Sequence, residues 1–99
     1  MHVIVGVFKM DPNKRAGQEV ALHERIIPML EQLPGFVSST SSYDVSTSRS
    51  HSHVVFETAE DAERFAAFVR GNGWKDQQRH GVEIESLVVA QVIAEARRP

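Results

Sequence analysis

The sequence predicts an α+β fold with the element order β-α-β-β-α-β, in which a four-stranded antiparallel sheet carries both helices on one face. Three observations predict it. Strand-like apolar runs open and close the chain, at residues 2–8 and 82–94. Two stretches with apolar residues at helical spacing, about 12–32 and 59–70, lie between those runs. Residues 33–57, which join the helices, read as helix stop, strand, turn, strand. This order is the split βαβ or ferredoxin-like pattern.

Length and composition set the limits. A chain of 99 residues is expected to form one domain, 1–99, and to bury only roughly 60–65% of its unfolded surface, so its core is thin and a partner subunit would help. Apolar residues make up 41% and charged residues 24%, which argues against disorder and a membrane span. A net charge of −2 with scattered basic residues disfavours nucleic acid as a partner. Cysteine is absent, which removes disulfides, thiolate catalysis and cysteine-based metal sites. No basic region followed by an apolar segment and a small-residue cleavage site opens the sequence, so a cytoplasmic location is expected.

Residues 2–8 (His-Val-Ile-Val-Gly-Val-Phe) are β-branched and almost continuously apolar, as in a strand covered on both faces. Asp11-Pro12-Asn13 offers a helix start. Val20, Ile26, Ile27, Leu30 and Leu33 then define one expected apolar face. Pro28 falls inside this helix, removes one N–H bond and presses on the carbonyl of Glu24. A bend or short non-α segment is therefore expected between Glu24 and Leu30, with Leu30 and Leu33 still buried. Pro34-Gly35 ends the helix through a left-handed glycine.

From 37 to 53 the chain is so rich in Ser and Thr that it could pass for a linker. Phe36, Val37, Tyr43, Val45, Val54, Val55 and Phe56 bracket it, however, and predict a hairpin with its turn near 46–49. Over 50–57, strand alternation puts Ser52, Val54 and Phe56 on one face and His51, His53, Val55 and Glu57 on the other. Thr58-Ala59-Glu60-Asp61 is a capped helix start, and Ala59, Ala62, Phe65, Ala66 and Val69 follow as one stripe up to Gly71-Asn72-Gly73. Residues 74–80 suggest a short extra turn. In the last strand, taken as 82–94, uninterrupted alternation groups Leu87, Val89, Gln91 and Ile93 with the histidines on the face the helices leave bare. That face is too apolar for water, and a second sheet would cover it.

The length, the element order, Leu33-Pro34-Gly35-Phe36, and Val54-Val55-Phe56-Glu57 running into Thr58-Ala59-Glu60-Asp61-Ala62 resemble the dimeric α/β-barrel superfamily, and within it the antibiotic biosynthesis monooxygenase-like domains. The resemblance covers nearly the whole chain. It implies a homodimer whose sheets close face to face into an α/β barrel, with a cavity between sheet and helices that takes a small-molecule ligand. Characterised members include oxygenases of aromatic polyketides or quinols that use no cofactor. A haem-degrading branch uses an Asn, a Trp and a His; Trp74 and His80 would match the last two, whereas residues 2–8 contain no Asn.

Oxygenation without a cofactor needs a pocket that desolvates a phenol or enol, a base near neutral pKa, and exclusion of water. His51 and His53 are the candidate catalytic groups by residue type. The plainer reading is that they are polar residues at a strand entrance after a Ser-rich turn. Metal binding is not expected, since His-x-His has no evident third ligand unless Glu57, Glu83 or Glu85 approaches. Tyr43, Trp74 and Gln91 are the candidate ligand contacts; Tyr43 equally suits cross-strand packing, and Trp74 packing over the end of its helix. His23, Arg49 and Arg70 read as border residues. Two functions follow: a cofactor-independent monooxygenase acting on a small aromatic, quinol or polyketide-like compound, or a non-catalytic ligand-binding or stress-associated dimeric module. They part on whether polar groups converge on one enclosed cavity.

Overall fold

The computed structural model describes residues 1–71, 75 and 78–99. Its strands are β1 (His2–Met10), β2 (Phe36–Asp44), β3 (Arg49–Phe56) and β4 (Val82–Gln91). They form one sheet in the order β2-β3-β1-β4 with every neighbouring pair antiparallel. The helical elements are a 3₁₀ turn at Pro12–Lys14, α1 (Arg15–Ala21), a π-helical turn at Leu22–Ile26, α2 (Ile27–Glu31) and α3 (Ala59–Arg70). The expected ferredoxin-like α+β order is therefore present. Among the described residues no helix is long and apolar enough to cross a membrane.

The first helix is broken where proline chemistry demands it. Pro28 has no N–H for the carbonyl of Glu24, and its ring crowds that carbonyl. The chain widens just before it, into a turn closed by the Ile27 N–H donating to the Leu22 carbonyl five residues back. One extra residue in a turn rotates what precedes it about the helix axis, and this corrects the expected stripe. Beyond the π turn Leu30 is buried, as expected, whereas Leu33 is only half-buried against the core. Before it Val20 is 54% exposed, and Gln18 and Ala21 hold the inward positions instead. Gly35 follows with φ +76°, the left-handed conformation expected of it.

The hairpin turns one residue earlier than expected, and β3 begins at Arg49. Thr58 caps α3, its hydroxyl oxygen accepting from the Asp61 N–H at 3.1 Å and its O–H donating to Asp61 Oδ2 at 2.9 Å. Ala62 and Ala66 are fully buried, and such small side chains let α3 lie close against β4, β1 and β3. With Ile4, Leu30, Val54 and Phe56 they make the core. Phe56 packs edge-on to Phe36 at 6.2 Å and tilted against Phe65 at 5.7 Å.

The last strand corrects two expectations. It ends at Gln91, and at 10 residues against 9 for β1 it leaves almost no surplus edge to require a partner. The register along β1 also slips between Val7 and Phe8, where Ser86 and Ile84 are the successive partners. This bulge skips Glu85 and inverts the alternation. Leu87 and Val89 therefore pack against the core on the helix side, while Val88, 53% exposed, pairs with Val5 on the bare face. Ile93 lies beyond the strand and is 92% exposed.

Candidate active site

Helices and sheet border a half-open cavity of about 520 Å³, within the range of small-molecule sites. Each wall follows from strand or helix periodicity. From β1, Ile4, Gly6 and Phe8 face it, on the parity that pairs with Val54, Ser52 and Ser50 of β3. Ser39, Ser41 and Tyr43 of β2 continue that face. Leu22, Ile26 and Met29 close it from the broken helix, and Phe65, Phe68 and Val69 from α3.

A polar ladder runs along one side. Arg15, Glu19 and His23 are four apart and all line the cavity. The Arg15 guanidinium lies 4.1 Å from the centre of the Tyr43 ring, bridging helix to sheet, and its Nε donates to Glu19 Oε1 at 3.2 Å. The Ser41 and Ser52 hydroxyls, directly opposite across β2 and β3, are 3.4 Å apart. Gln18, 7% exposed, donates from Nε2 to the carbonyls of Asp11 at 3.0 Å and His80 at 2.7 Å. Its Oε1 is buried without a partner.

The sequence-predicted site residues do not come together. Tyr43 lines the cavity. His51 and His53 are exposed and pair with Val7 and Val5, on the face opposite the cavity; a one-residue offset along a strand separates them from Ser50 and Ser52, which do line it. Gln91 pairs with His2 at the end of β4, is exposed and is not part of the cavity wall. Trp74 lies outside the described residues. His80 engages Arg25, with Nη2 and Nε2 2.8 Å apart, and is not in the cavity wall. No group of three metal-ligating side chains occurs among the described residues.

Sequence reasoning missed His23, the histidine that the described cavity wall contains, by treating it as a border residue. The i, i+4, i+8 recurrence of Arg15, Glu19 and His23 was the available signal. It also missed the serines, although Ser50 and Ser52 share the parity of Val54 and Phe56, already placed on the helix side.

No family model and no curated protein matches the sequence. Solved structures do. A monooxygenase from the ActVA-Orf6 gene of Streptomyces coelicolor, crystallised with nanaomycin D, superposes with a TM-score of 0.71 at 14% identity, covering 99% of this chain and 92% of that one. An antibiotic biosynthesis monooxygenase-like protein of Deinococcus radiodurans gives a TM-score of 0.68 at 16% identity, over 100% of this chain and 98% of the other. MupZ from Pseudomonas fluorescens gives 0.71 at 12% identity, over 89% and 69%. The chain thus has the fold of the antibiotic biosynthesis monooxygenase-like proteins.

Proposed function

We propose that the chain is a cofactor-independent monooxygenase that takes a small aromatic, quinol or polyketide-like compound into the cavity between helices and sheet. The observation that supports this reading is that a base-type side chain, His23, stands with Arg15 and Glu19 on the exposed rim of a largely apolar cavity whose wall also carries Tyr43. That the structurally similar protein of Streptomyces coelicolor was crystallised with nanaomycin D agrees with it. An anthrone would serve as substrate. Removal of a ring C–H proton by His23 leaves a delocalised anion, which Arg15 stabilises by its charge. The anion reduces O₂ with its own electrons and forms a C–O bond as a hydroperoxide. Loss of water from the hydroperoxide then leaves a quinone, so one oxygen atom enters the product and the other leaves as water.

This reading moves the base from His53 to His23. Oxygen uptake on a panel of anthrones and quinols is the measurement. His23→Ala, at matched folded fraction, is expected to lose about 10²–10⁴-fold in rate, with His53→Ala close to wild type. Binding of these compounds without uptake would favour the non-catalytic module. Full activity in His23→Ala together with loss in His53→Ala would return the base to the bare face.

The same bare face supports a two-fold homodimer. Val3, Val5, Val7, Val55, Val88 and Ala90 share it by register, and a stable interface would bury about 1,600 Å² in total. Sedimentation is expected to show a dimer at micromolar concentration and a monomer for Val5→Lys/Val88→Lys. A stable wild-type monomer would remove this assembly.

A further inference from the structure

The Ser-rich hairpin has a use that the oxygenase reading does not assign. On the outward side of β2, Ser38 and Thr40 suit an exposed edge strand, and Ser42, of the same parity, also borders the cavity. That explanation does not reach Ser39, Ser41, Ser50 and Ser52, which face inward and line the cavity. The same sheet face is apolar at Phe56, away from the cavity, and at Ile4 and Val54 on the cavity's inner end, so the hydroxyls are gathered at the end of the cavity toward the hairpin turn. The hydroxyls of Ser39 and Ser50 make no hydrogen bond among the described residues, and they are not sealed from the cavity, since the buried side-chain polar atoms without a partner are those of His2 and Gln18.

Gln18 also borders the cavity but does not offer it a free group. Two backbone carbonyls hold its Nε2, which fixes the amide orientation and commits Oε1 to the other side, where it accepts nothing. Sealed in this way, that atom is closed to a ligand as well, and the hydroxyl groups of the hairpin serines are the accessible ones. The opposite wall offers no such groups: Phe65 and Phe68 stack at 6.2 Å, and Val69 lies beside them on the cavity.

We infer that the β2–β3 hairpin is a specificity element: Ser39, Ser41, Ser50 and Ser52 hold the oxygenated edge of a fused-ring ligand, and the Phe65–Phe68 wall takes its hydrocarbon edge. The inference rests on the reading of this cavity as the ligand site. Successive hydroxyl rows on a strand are about 7 Å apart, so a ligand with oxygens along one edge engages two strands together.

The test is fluorescence titration of the full chain with 1,8-dihydroxyanthraquinone, oxygenated along one edge, and with anthracene, which shares the three-ring skeleton without oxygen. Wild type is expected to prefer the dihydroxy compound by about tenfold or more. Ser39→Ala/Ser50→Ala is expected to weaken that compound by about tenfold and to leave anthracene within about twofold, as loss of one or two neutral hydrogen bonds requires. Ser39→Thr, which keeps the hydroxyl, is expected to retain the preference, and matched urea midpoints establish that the variants are folded. Equal wild-type affinity for both compounds, or a double variant unchanged toward both, would overturn the hairpin's role and leave the cavity reading intact. Binding of neither compound would overturn the cavity reading, and this inference with it.

Discussion

One face of one sheet is built in two ways. Under α3, Ala62 and Ala66 let the helix settle against the sheet at Phe56, and the space is filled, with Ile4 and Val54 standing between this packing and the cavity. Toward the hairpin the same face carries serines, and the helix interrupted by the π turn spans about 520 Å³ of cavity. The filled half holds the fold together, because close packing of apolar side chains is where a small domain finds its stability. The open half forgoes that packing.

The contrast can be broken most sharply at Phe56. It is 1% exposed and touches two other aromatic rings, so Phe56→Ala is expected to destabilise by about 3–5 kcal/mol in urea unfolding. A cost under about 1 kcal/mol would mean that the filled half is not where stability resides. Gly6→Ala comes next, since it lies on the boundary. An added Cβ would come within 2.7 Å of the Phe8 ring edge and 3.3 Å of Leu87 Cδ1, and turning the Phe8 ring aside is expected to cost about 1–3 kcal/mol and to narrow the cavity. Ser52→Val then separates stability from function: it should change stability by no more than about 1 kcal/mol, in the stabilising direction, while ligand affinity falls. A large loss of stability there would make the serines structural.

The smallest effect belongs to the turn. Hydrogen bonds from the side chains of Ser46 and Thr47 and from the Ser46 N–H hold the Asp44 carboxyl below its usual range. A group depressed in the folded state contributes its stability above its unfolded pKa and loses it as pH falls through the lower folded value. Acidification to that range is therefore expected to loosen the hairpin tip slightly. Because Asp44 is solvated, the effect should be small, visible as faster amide exchange at Ser46 with no change in Asp44→Asn.

Much of the fold was legible in local chemistry. The order of elements, the Thr58 cap, the Gly35 stop, the stripe of Ala62 and Ala66 and the disturbance before Pro28 each follow from a few neighbouring residues, because caps, glycine conformations and proline clashes act over a single turn. The parity of β3 was legible too, and it placed His51 and His53 correctly opposite Val54 and Phe56.

Phase was decided by the tertiary structure. The π turn and the β4 bulge each insert one residue, and periodicity carried across an insertion is rotated or inverted beyond it. That is why Val20 was expected inside and Leu87 outside, when each takes the other side. The candidate site lies beyond the same limit. His23, Arg15, Tyr43 and the four serines come from the broken helix and two strands, and only the packing of helices on the sheet sets them, with Phe65, Phe68 and Val69 of α3, around one cavity.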